Sequence, residues 1–120
     1  MHNFDMKMYE INIKIDNPAV DVAVYDMINA IDFCRLSDIQ LLKVIYGYGS
    51  HGKGGEIKKE CLNTLRRLVK NKIIYDYIPC EKFSQSHKYY DNIVKYYPPV
   101  AIDNELQNNF GVVLIIVSKL

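Results

Sequence analysis

Four strand-like segments and two long helix-like segments alternate along this chain of 120 residues, and that order predicts an α/β fold. The expected class is an α+β two-layer sandwich, in which two main helices cover a four-stranded mixed sheet. Residues 9–15 alternate between apolar and polar side chains, as a strand with one buried face does. Residues 112–117 are wholly apolar, which is typical of a strand at the centre of its sheet.

The first strand and the first helix are predicted from residues 9–33. Asn17 is expected to cap the helix and Pro18 to occupy its first position, where a missing N–H costs nothing. The helix should run to about Phe33, because apolar residues recur at helical spacing. These residues are Val20, Ala23, Val24, Met27, Ile28 and Ile31.

The second strand is expected at about residues 40–46 and the second helix at residues 56–71. One side of this helix is apolar, and the opposite side carries a basic ridge. The apolar side consists of Ile57, Cys61, Leu62, Leu65, Leu68 and Val69, and the ridge of Lys59, Asn63, Arg66 and Lys70. A ridge of this kind is either a solvated face or a surface that binds nucleic acid.

A third strand is predicted at residues 73–78, and an inserted segment at residues 79–110 separates it from the last strand. Within the insert, residues 86–97 allow a short helix that Pro98 and Pro99 would end. Residues 101–110 have the composition of a loop. Residues 1–7 are expected to form a flexible N-terminus, and the whole chain, 1–120, a single domain.

Composition narrows the function classes. No apolar run approaches the roughly 20 residues of a membrane helix, and the first residues do not resemble a signal peptide, so a cytoplasmic protein without a membrane partner is expected. The three cysteines lack CxxC spacing, which favours free thiols. The sequence contains no cluster of potential metal ligands, so neither a metal nor another cofactor is expected. The net charge of +1 leaves only a local basic surface for nucleic acid, namely residues 53–72, with seven Lys and Arg against two Glu.

Five of the six glycines fall between positions 47 and 55, in a loop between the second strand and the second helix. Backbone N–H groups in such a loop can converge beside the positive end of a helix dipole. This arrangement favours the binding of a phosphate. The predicted phosphate-binding residues are Gly47, Tyr48, Gly49, Ser50, His51, Gly52, Lys53, Gly54, Gly55, Lys58 and Lys59. Tyr48 is expected either to pack at the strand end or to stack on a base, whereas packing is favoured for Tyr46.

Two familiar nucleotide motifs match this loop incompletely. Residues 47–52 fit GxGxxG, but Gly54 and Gly55 would give a poor first helical turn, and too little chain follows Asp76 for a dinucleotide domain. Residues 47–53 fit GxxxxGK, but Gly54 stands where Ser or Thr should hold Mg²⁺. Neither a dinucleotide-binding domain nor a nucleoside triphosphatase is therefore expected.

Residues 44–57 resemble the glycine loop of the small MutS-related (Smr) domain, in which a strand leads into HGxG, further glycines and a basic helix. Residues 13–23 resemble the family's opening strand and helix, usually written LDLHG and followed by paired acids and an alanine. The later part of the chain is similar to a longer bacterial branch of this family, which has an insert before the last strand. The segments that carry this likeness are residues 78–81 and 103–106, which precede residues 110–113. The resemblance implies a fold similar to the C-terminal domain of translation initiation factor three, binding of DNA or RNA, and nuclease activity in some members.

The resemblance covers about residues 9–120 but departs at the family's chemical groups. Lys14 stands at the Asp position of LDLHG, Asp16 at its His position, and Tyr46 at the His position of HGxG. Loss or alteration of nuclease activity is therefore expected. Asp16 and His51 remain candidate catalytic residues for an alternative, a weakly active endonuclease.

A further hypothesis is a module that docks on a protein or the ribosome through the tyrosine-rich residues 83–97.

Overall fold

The computed structural model describes residues 6–47 and 54–120, and it confirms the predicted class, a mixed four-stranded sheet with helices. Its elements are β1 (Met8–Asn12), α1 (Val20–Leu36), β2 (Leu41–Ile45), α2 (Gly54–Lys70), β3 (Asp76–Pro79), α3 (Tyr90–Tyr96) and β4 (Val112–Ile116). Short 3₁₀ segments lie at Cys80–Lys82, Pro98–Ile102 and Asn104–Leu106. No helix within these two ranges has both the length and the apolar character needed to cross a bilayer.

The strands lie in the order β1-β2-β4-β3. β1 and β2 are parallel, and β4 is antiparallel to both β2 and β3. β4 therefore lies inside the sheet, as its apolar sequence predicts, and all five of its residues are buried. Because β1 and β2 run in the same direction, the segments that follow them leave the sheet at the same edge.

The two faces of the sheet have separate apolar cores, because neighbouring residues of a strand point to opposite faces. Leu42 and Val44 pack with residues of α1 and α2, whereas Leu41 packs on the other face with residues of the segment between β3 and β4. That segment, residues 80–111, covers the second face through the buried side chains Cys80, Phe83, Tyr90, Ile93, Val100 and Leu106. The predicted short helix is present but spans only seven residues.

A buried cation joins this segment to the sheet. Lys43 of β2 is 1% exposed, and its ammonium lies 2.6 Å from Glu105, 3.0 Å from Asp103 and 3.2 Å from Glu10. Burial alone would lower the pKa of Lys43, but its hydrogen bonds to these carboxylates raise that pKa above the ordinary value. The ammonium group of Lys43 is therefore charged at neutral pH. It connects β1, β2 and the segment that covers this face.

The predicted start of α1 is wrong. Asp16 and Asn17 have positive φ angles of 64° and 49°, and the helix cap is Ala19, which makes no side-chain hydrogen bond. The N–H of Asn17 donates to the carbonyl of Lys14 at 3.2 Å, so the chain makes a tight turn before it enters the helix. α1 then continues to Leu36, three residues beyond the predicted end.

The third strand also starts later than predicted. Lys72 has a φ of 61°, and the N–H groups of Ile73 and Ile74 both donate to the carbonyl of Leu68, at 2.8 and 3.4 Å. These bonds close the C-terminal end of α2 in the way that a left-handed residue after a helix allows. Ile73 and Ile74 therefore belong to the turn that closes the helix, and β3 begins at Asp76.

Candidate nucleic-acid interface

The predicted site lies at the sheet edge where β1 and β2 end. The turn 13–19 and the glycine loop both leave the sheet there, because the two strands are parallel. Residues 48–53 lie outside the described residues, so the phosphate contacts predicted for Tyr48, Gly49, Ser50, His51, Gly52 and Lys53 remain predictions. Gly54 begins α2, and Gly55 is exposed with open space around its Cα.

Gly47 is held firmly at the entrance of the loop. Its N–H donates to the carbonyl of Gly111 at 3.0 Å, and the N–H of Tyr46 donates to the same carbonyl at 2.9 Å. Gly47 has a φ of 71°, and a Cβ added to it would lie 3.1 Å from Cδ of Lys14. Position 47 therefore favours glycine for its backbone angle, and a larger residue there would also require the exposed Lys14 side chain to shift by a few tenths of an ångström.

Lys14 and Asp16 lie in the exposed turn after β1. The N–H of Lys14 donates to Oδ1 of Asn12 at 3.0 Å, which fixes the backbone beside Gly47. The position where the Smr pattern has a carboxylate thus carries a cation next to the glycine loop. Asp16 is exposed, and whether it meets His51 depends on residues outside the described ranges.

Lys58 and Lys59, both predicted to bind phosphate, have different surroundings. The ammonium of Lys58 donates to Glu81 at 2.9 Å and to the carbonyl of Phe110 at 2.8 Å. It also lies 5.7 Å from the ring centre of Tyr46 and 5.2 Å from that of Phe110. Lys59 is exposed, so α2 offers it to solvent while Lys58 ties the helix to the segment that covers the opposite face.

Tyr46 is completely buried, in keeping with the predicted packing role. Its hydroxyl has no hydrogen-bond partner in the part of the chain that the structure describes, and the same holds for Oε1 of Glu81. Burial, with a smaller contribution from the Glu81 charge, raises the pKa of Tyr46 well above its ordinary value. A pKa raised in this way lies further from neutrality than that of the histidine at the same position of the Smr pattern.

The basic ridge of α2 continues away from the glycine loop. Lys59, Arg66 and Lys70 are exposed, and Arg66 donates to Oδ1 of Asn63 at 3.0 Å. Eleven residues of helix separate Lys59 from Lys70, so the ridge is about 16 Å long. Its spacing suits several successive phosphates better than one small anion.

Sequence reasoning missed two features of this site. It did not foresee that Lys14 packs against Gly47, or that Glu81 and the carbonyl of Phe110 hold Lys58. Both are contacts between residues distant in the chain, and no local pattern marks them.

Cys34, Cys61 and Cys80 are buried free thiols, and residues 6–47 and 54–120 contain no group of three potential metal ligands.

Comparison with known proteins relates the fold to the family that the sequence resembles. Neither family models nor curated protein sequences match the chain. The crystal structure of the Smr domain of Thermus thermophilus MutS2 is similar, with a TM-score of 0.57 and 14% sequence identity over 91% of this chain and 96% of that domain. At this identity the likeness concerns the fold alone, and the fold of this chain is Smr-like.

Proposed function

We propose that this chain binds the phosphate backbone of DNA or RNA at the sheet edge where β1 and β2 end, without cleaving it. The observation that carries the proposal is Lys14, whose side chain lies against Gly47 at the entrance of the glycine loop. A cation at this place attracts phosphate and cannot act as the carboxylate of a nuclease. The Smr-like fold and the sequence resemblance support the same class of ligand.

Charge is distributed as this mode of binding requires. Lys14 and Lys59 are exposed, and Arg66 and Lys70 extend the positive surface along α2. The net charge of the chain is only +1, so binding depends on this local surface rather than on a general attraction. The loop N–H groups beyond Gly47 would hold one phosphate at the start of α2, and the ridge would contact its neighbours.

Loss of cleavage rests on the replaced groups. Lys14 and Tyr46 occupy two positions where the family has chemical groups, and Tyr46 is buried with its pKa raised. Asp16, at the family's His position, lies exposed in a turn. On this proposal, a phosphate beside Lys14 and Lys59 is held by charge and is not attacked by a general base.

The binding test is a salt titration by fluorescence anisotropy with labelled single-stranded and duplex DNA and RNA. Binding should weaken as salt rises, with a slope that reflects a few phosphate contacts. Lys14→Gln and Lys59→Gln should each weaken binding about three- to tenfold at 0.1 M salt, and each should reduce the slope by about one. Affinity independent of salt would overturn the proposal.

Lys95→Gln is the matched control, because Lys95 is an exposed lysine on α3, on the opposite face of the sheet. It should bind as the wild type does. Equal losses in Lys14→Gln and Lys95→Gln would show general electrostatic attraction rather than a site.

Cleavage is tested on the same labelled substrates with Mg²⁺ or Mn²⁺. Intact substrate after long incubation is the expected result. Cutting that disappears in both Asp16→Ala and His51→Ala would instead establish the weakly active endonuclease. Cutting that persists in both variants indicates a contaminating nuclease, and a repurified protein should then leave the substrate intact.

A further inference from the structure

An open cavity lies at the end of the sheet opposite the glycine loop. Its volume is about 600 Å³, within the range of roughly 300 to 1,000 Å³ that is usual for small-molecule sites. Three segments form its walls, namely the turn after α1, the turn after α2 and the residues that follow β4. Leu41 pairs with Ile116 at this end of the sheet, whereas the glycine loop follows the other end of β2. The cavity is therefore separate from the edge where nucleic acid is proposed to bind.

The lining of the cavity is largely apolar. Its apolar residues are Cys34, Ile39, Val69, Ile73, Ile74 and Val117, all of which belong to the core of the helix-covered face or pack against it. Burial raises the pKa of the Cys34 thiol to about 11, so this side chain is uncharged at neutral pH. The interior of the cavity thus suits the apolar part of a ligand.

The charged residues of the cavity are mostly basic. Arg35, Lys72 and Lys119 line it together with one carboxylate, that of Asp38, and all four residues are exposed. Arg35 lies 3.8 Å from Asp32. Neither Lys72 nor Lys119 forms an ion pair within the part of the chain that the structure describes. These two lysines are therefore available to an anionic group on a ligand.

Two helices end beside this cavity, and open carbonyl groups at a helix end attract cations rather than anions. Here the backbone closes both ends. The carbonyl of Cys34 accepts from the N–H of Ile39 at 2.9 Å, and the carbonyl of Leu68 accepts from the N–H of Ile73 at 2.8 Å. These bonds reduce the attraction of the helix ends for a cation, so the basic side chains select the ligand.

Hydrogen bonds join the walls of the cavity to one another. The N–H of Val117 donates to the carbonyl of Gln40 at 2.8 Å, and Nε2 of Gln40 donates to the carbonyl of Lys119 at 2.6 Å. The N–H of Tyr75 donates to the carbonyl of Ile116 at 3.0 Å. The cavity is thus preformed, and a ligand does not have to order its walls on binding.

We infer that this cavity binds a small organic anion, a carboxylate carried on an apolar ring or chain. The apolar part packs against Val69, Ile73 and Val117, and Lys72 and Lys119 hold the carboxylate. None of the residues predicted or proposed to bind phosphate lines the cavity. This binding is therefore independent of the proposed nucleic-acid binding, and either one can fail without the other.

Titrations followed by ¹H–¹⁵N NMR test the class of ligand. Both 2-naphthoate and octanoate should shift the amide signals of Lys72, Tyr75 and Val117, with dissociation constants of about 1 mM or lower. The neutral 2-naphthalenemethanol and the cationic 2-naphthylmethylamine have the same ring system and should bind at least about tenfold more weakly. The inference is overturned if neither carboxylate shifts these signals. Equal affinity of the three naphthalene ligands would also overturn it, because charge would then play no part.

Charge variants test the residues that hold the carboxylate. Lys72→Gln and Lys119→Gln should each weaken the binding of 2-naphthoate about three- to tenfold. Asp38→Asn should strengthen it about two- to threefold, because it removes the one carboxylate among the lining residues. Lys95→Gln, a change of an exposed lysine outside the cavity, should bind as the wild type does. Lysine variants that bind as tightly as the wild type would contradict the assigned roles.

A blocking variant tests the location. Ser118 is exposed and lines the cavity, so Ser118→Trp should fill it and weaken the binding of 2-naphthoate at least about tenfold while the fold survives, as circular dichroism can verify. Ala101→Trp is the matched control, because Ala101 is exposed in the 3₁₀ segment Pro98–Ile102 outside the cavity. Both variants should bind nucleic acid as the wild type does. Unchanged binding of 2-naphthoate by Ser118→Trp would place the ligand elsewhere and overturn the inference.

Discussion

The two faces of the sheet are covered in physically different ways, although the same strands supply both. On the helix-covered face, Leu42 and Val44 pack among apolar residues of α1 and α2. On the face covered by residues 80–111, Leu41 and Ile45 flank Lys43, a buried cation with three carboxylate partners. The helices are thus held on the sheet mainly by apolar contact. Residues 80–111, which cover the opposite face, are also held by the ion pairs of Lys43 with Asp103 and Glu105.

The difference shows how a sheet can carry a cover that contains little regular structure. Residues 80–111 include one helix of seven residues and three 3₁₀ segments, so their backbone provides few long-range hydrogen bonds. Lys43 compensates by joining Asp103 and Glu105 to the centre of the sheet. Breaking the cluster should loosen this cover and leave the helix-covered face intact.

Alkaline pH should have the largest effect, and it tests burial on both faces. Burial raises the pKa of Cys34 to about 11 and the pKa values of Cys61 and Cys80 to about 12, from the ordinary value of 9.0. Above pH 9 the unfolded chain therefore binds fewer protons than the folded chain, and the free energy of unfolding falls as pH rises. The loss should reach about 1.4 kcal/mol per thiol by pH 10, or about 4 kcal/mol in total.

Urea unfolding between pH 7 and pH 10 measures this loss, and cysteine variants assign it to a face. Cys34 and Cys61 lie on the helix-covered face and Cys80 on the other. Cys34→Ala combined with Cys61→Ala should remove about two thirds of the pH dependence, and Cys80→Ala about one third. An unchanged pH dependence in all these variants would show that other groups dominate.

A cavity on the helix-covered face should have the next largest effect. Leu42 is completely buried among residues of α1 and α2, and Leu42→Ala should lower the free energy of unfolding by about 3 kcal/mol. The loss should not change between pH 5 and pH 8, because no charge is removed. Urea unfolding at both pH values checks this, and a loss below 1 kcal/mol would mean that the helices repack easily.

Removing the buried cation should cost less and act locally. Lys43→Met keeps the apolar stem but leaves Asp103 and Glu105 unpaired, and these side chains are 24% and 58% exposed. Because water can still reach them, we expect a loss of about 1 to 3 kcal/mol, below that of a fully buried pair. Hydrogen exchange should rise within residues 80–111 and not in α1 or α2.

Two further variants complete this test. Lys95→Met removes an exposed lysine from α3 in the same cover and should change neither stability nor exchange. In a double-mutant cycle, Lys43→Met and Asp103→Asn should be less than additive, because each breaks the same contact. If Lys43→Met proved as stable as the wild type, apolar contact alone would hold both covers and the contrast between the faces would disappear.

Most of the fold could be predicted from periodicity, because alternation and helical spacing are local properties. The strands β1, β2 and β4 and both long helices lie close to their predicted positions. The errors occur where backbone geometry outweighs composition. Asn17 and Lys72 adopt positive φ angles, which moves the start of α1 and delays β3. The apolar residues Ile73 and Ile74 resemble a strand, yet their N–H groups close a helix end.

The candidate site was predictable only in outline. A glycine loop between a strand and a basic helix locates a phosphate site, because both features are contiguous in sequence. Lys58 resembles a phosphate ligand by position, yet Glu81, 23 residues away, holds its ammonium. Lys43, in the middle of an apolar strand, gave no sign that Asp103, 60 residues later, would neutralise it. Such pairings depend on tertiary contacts that no local pattern encodes.

The smallest expected effect concerns Tyr46, the helix-face counterpart of Lys43. Its hydroxyl is buried without a hydrogen-bond partner among the described residues, whereas the cation of Lys43 has three partners. Tyr46→Phe removes a polar group that gains nothing from burial, so stability at pH 7 should stay unchanged or rise by up to about 1 kcal/mol. Affinity for nucleic acid should not change, because the ring is fully buried. Thermal unfolding and the anisotropy titration measure the two quantities. A loss of stability would reveal a partner for the hydroxyl, and a loss of affinity would place Tyr46 in the binding site.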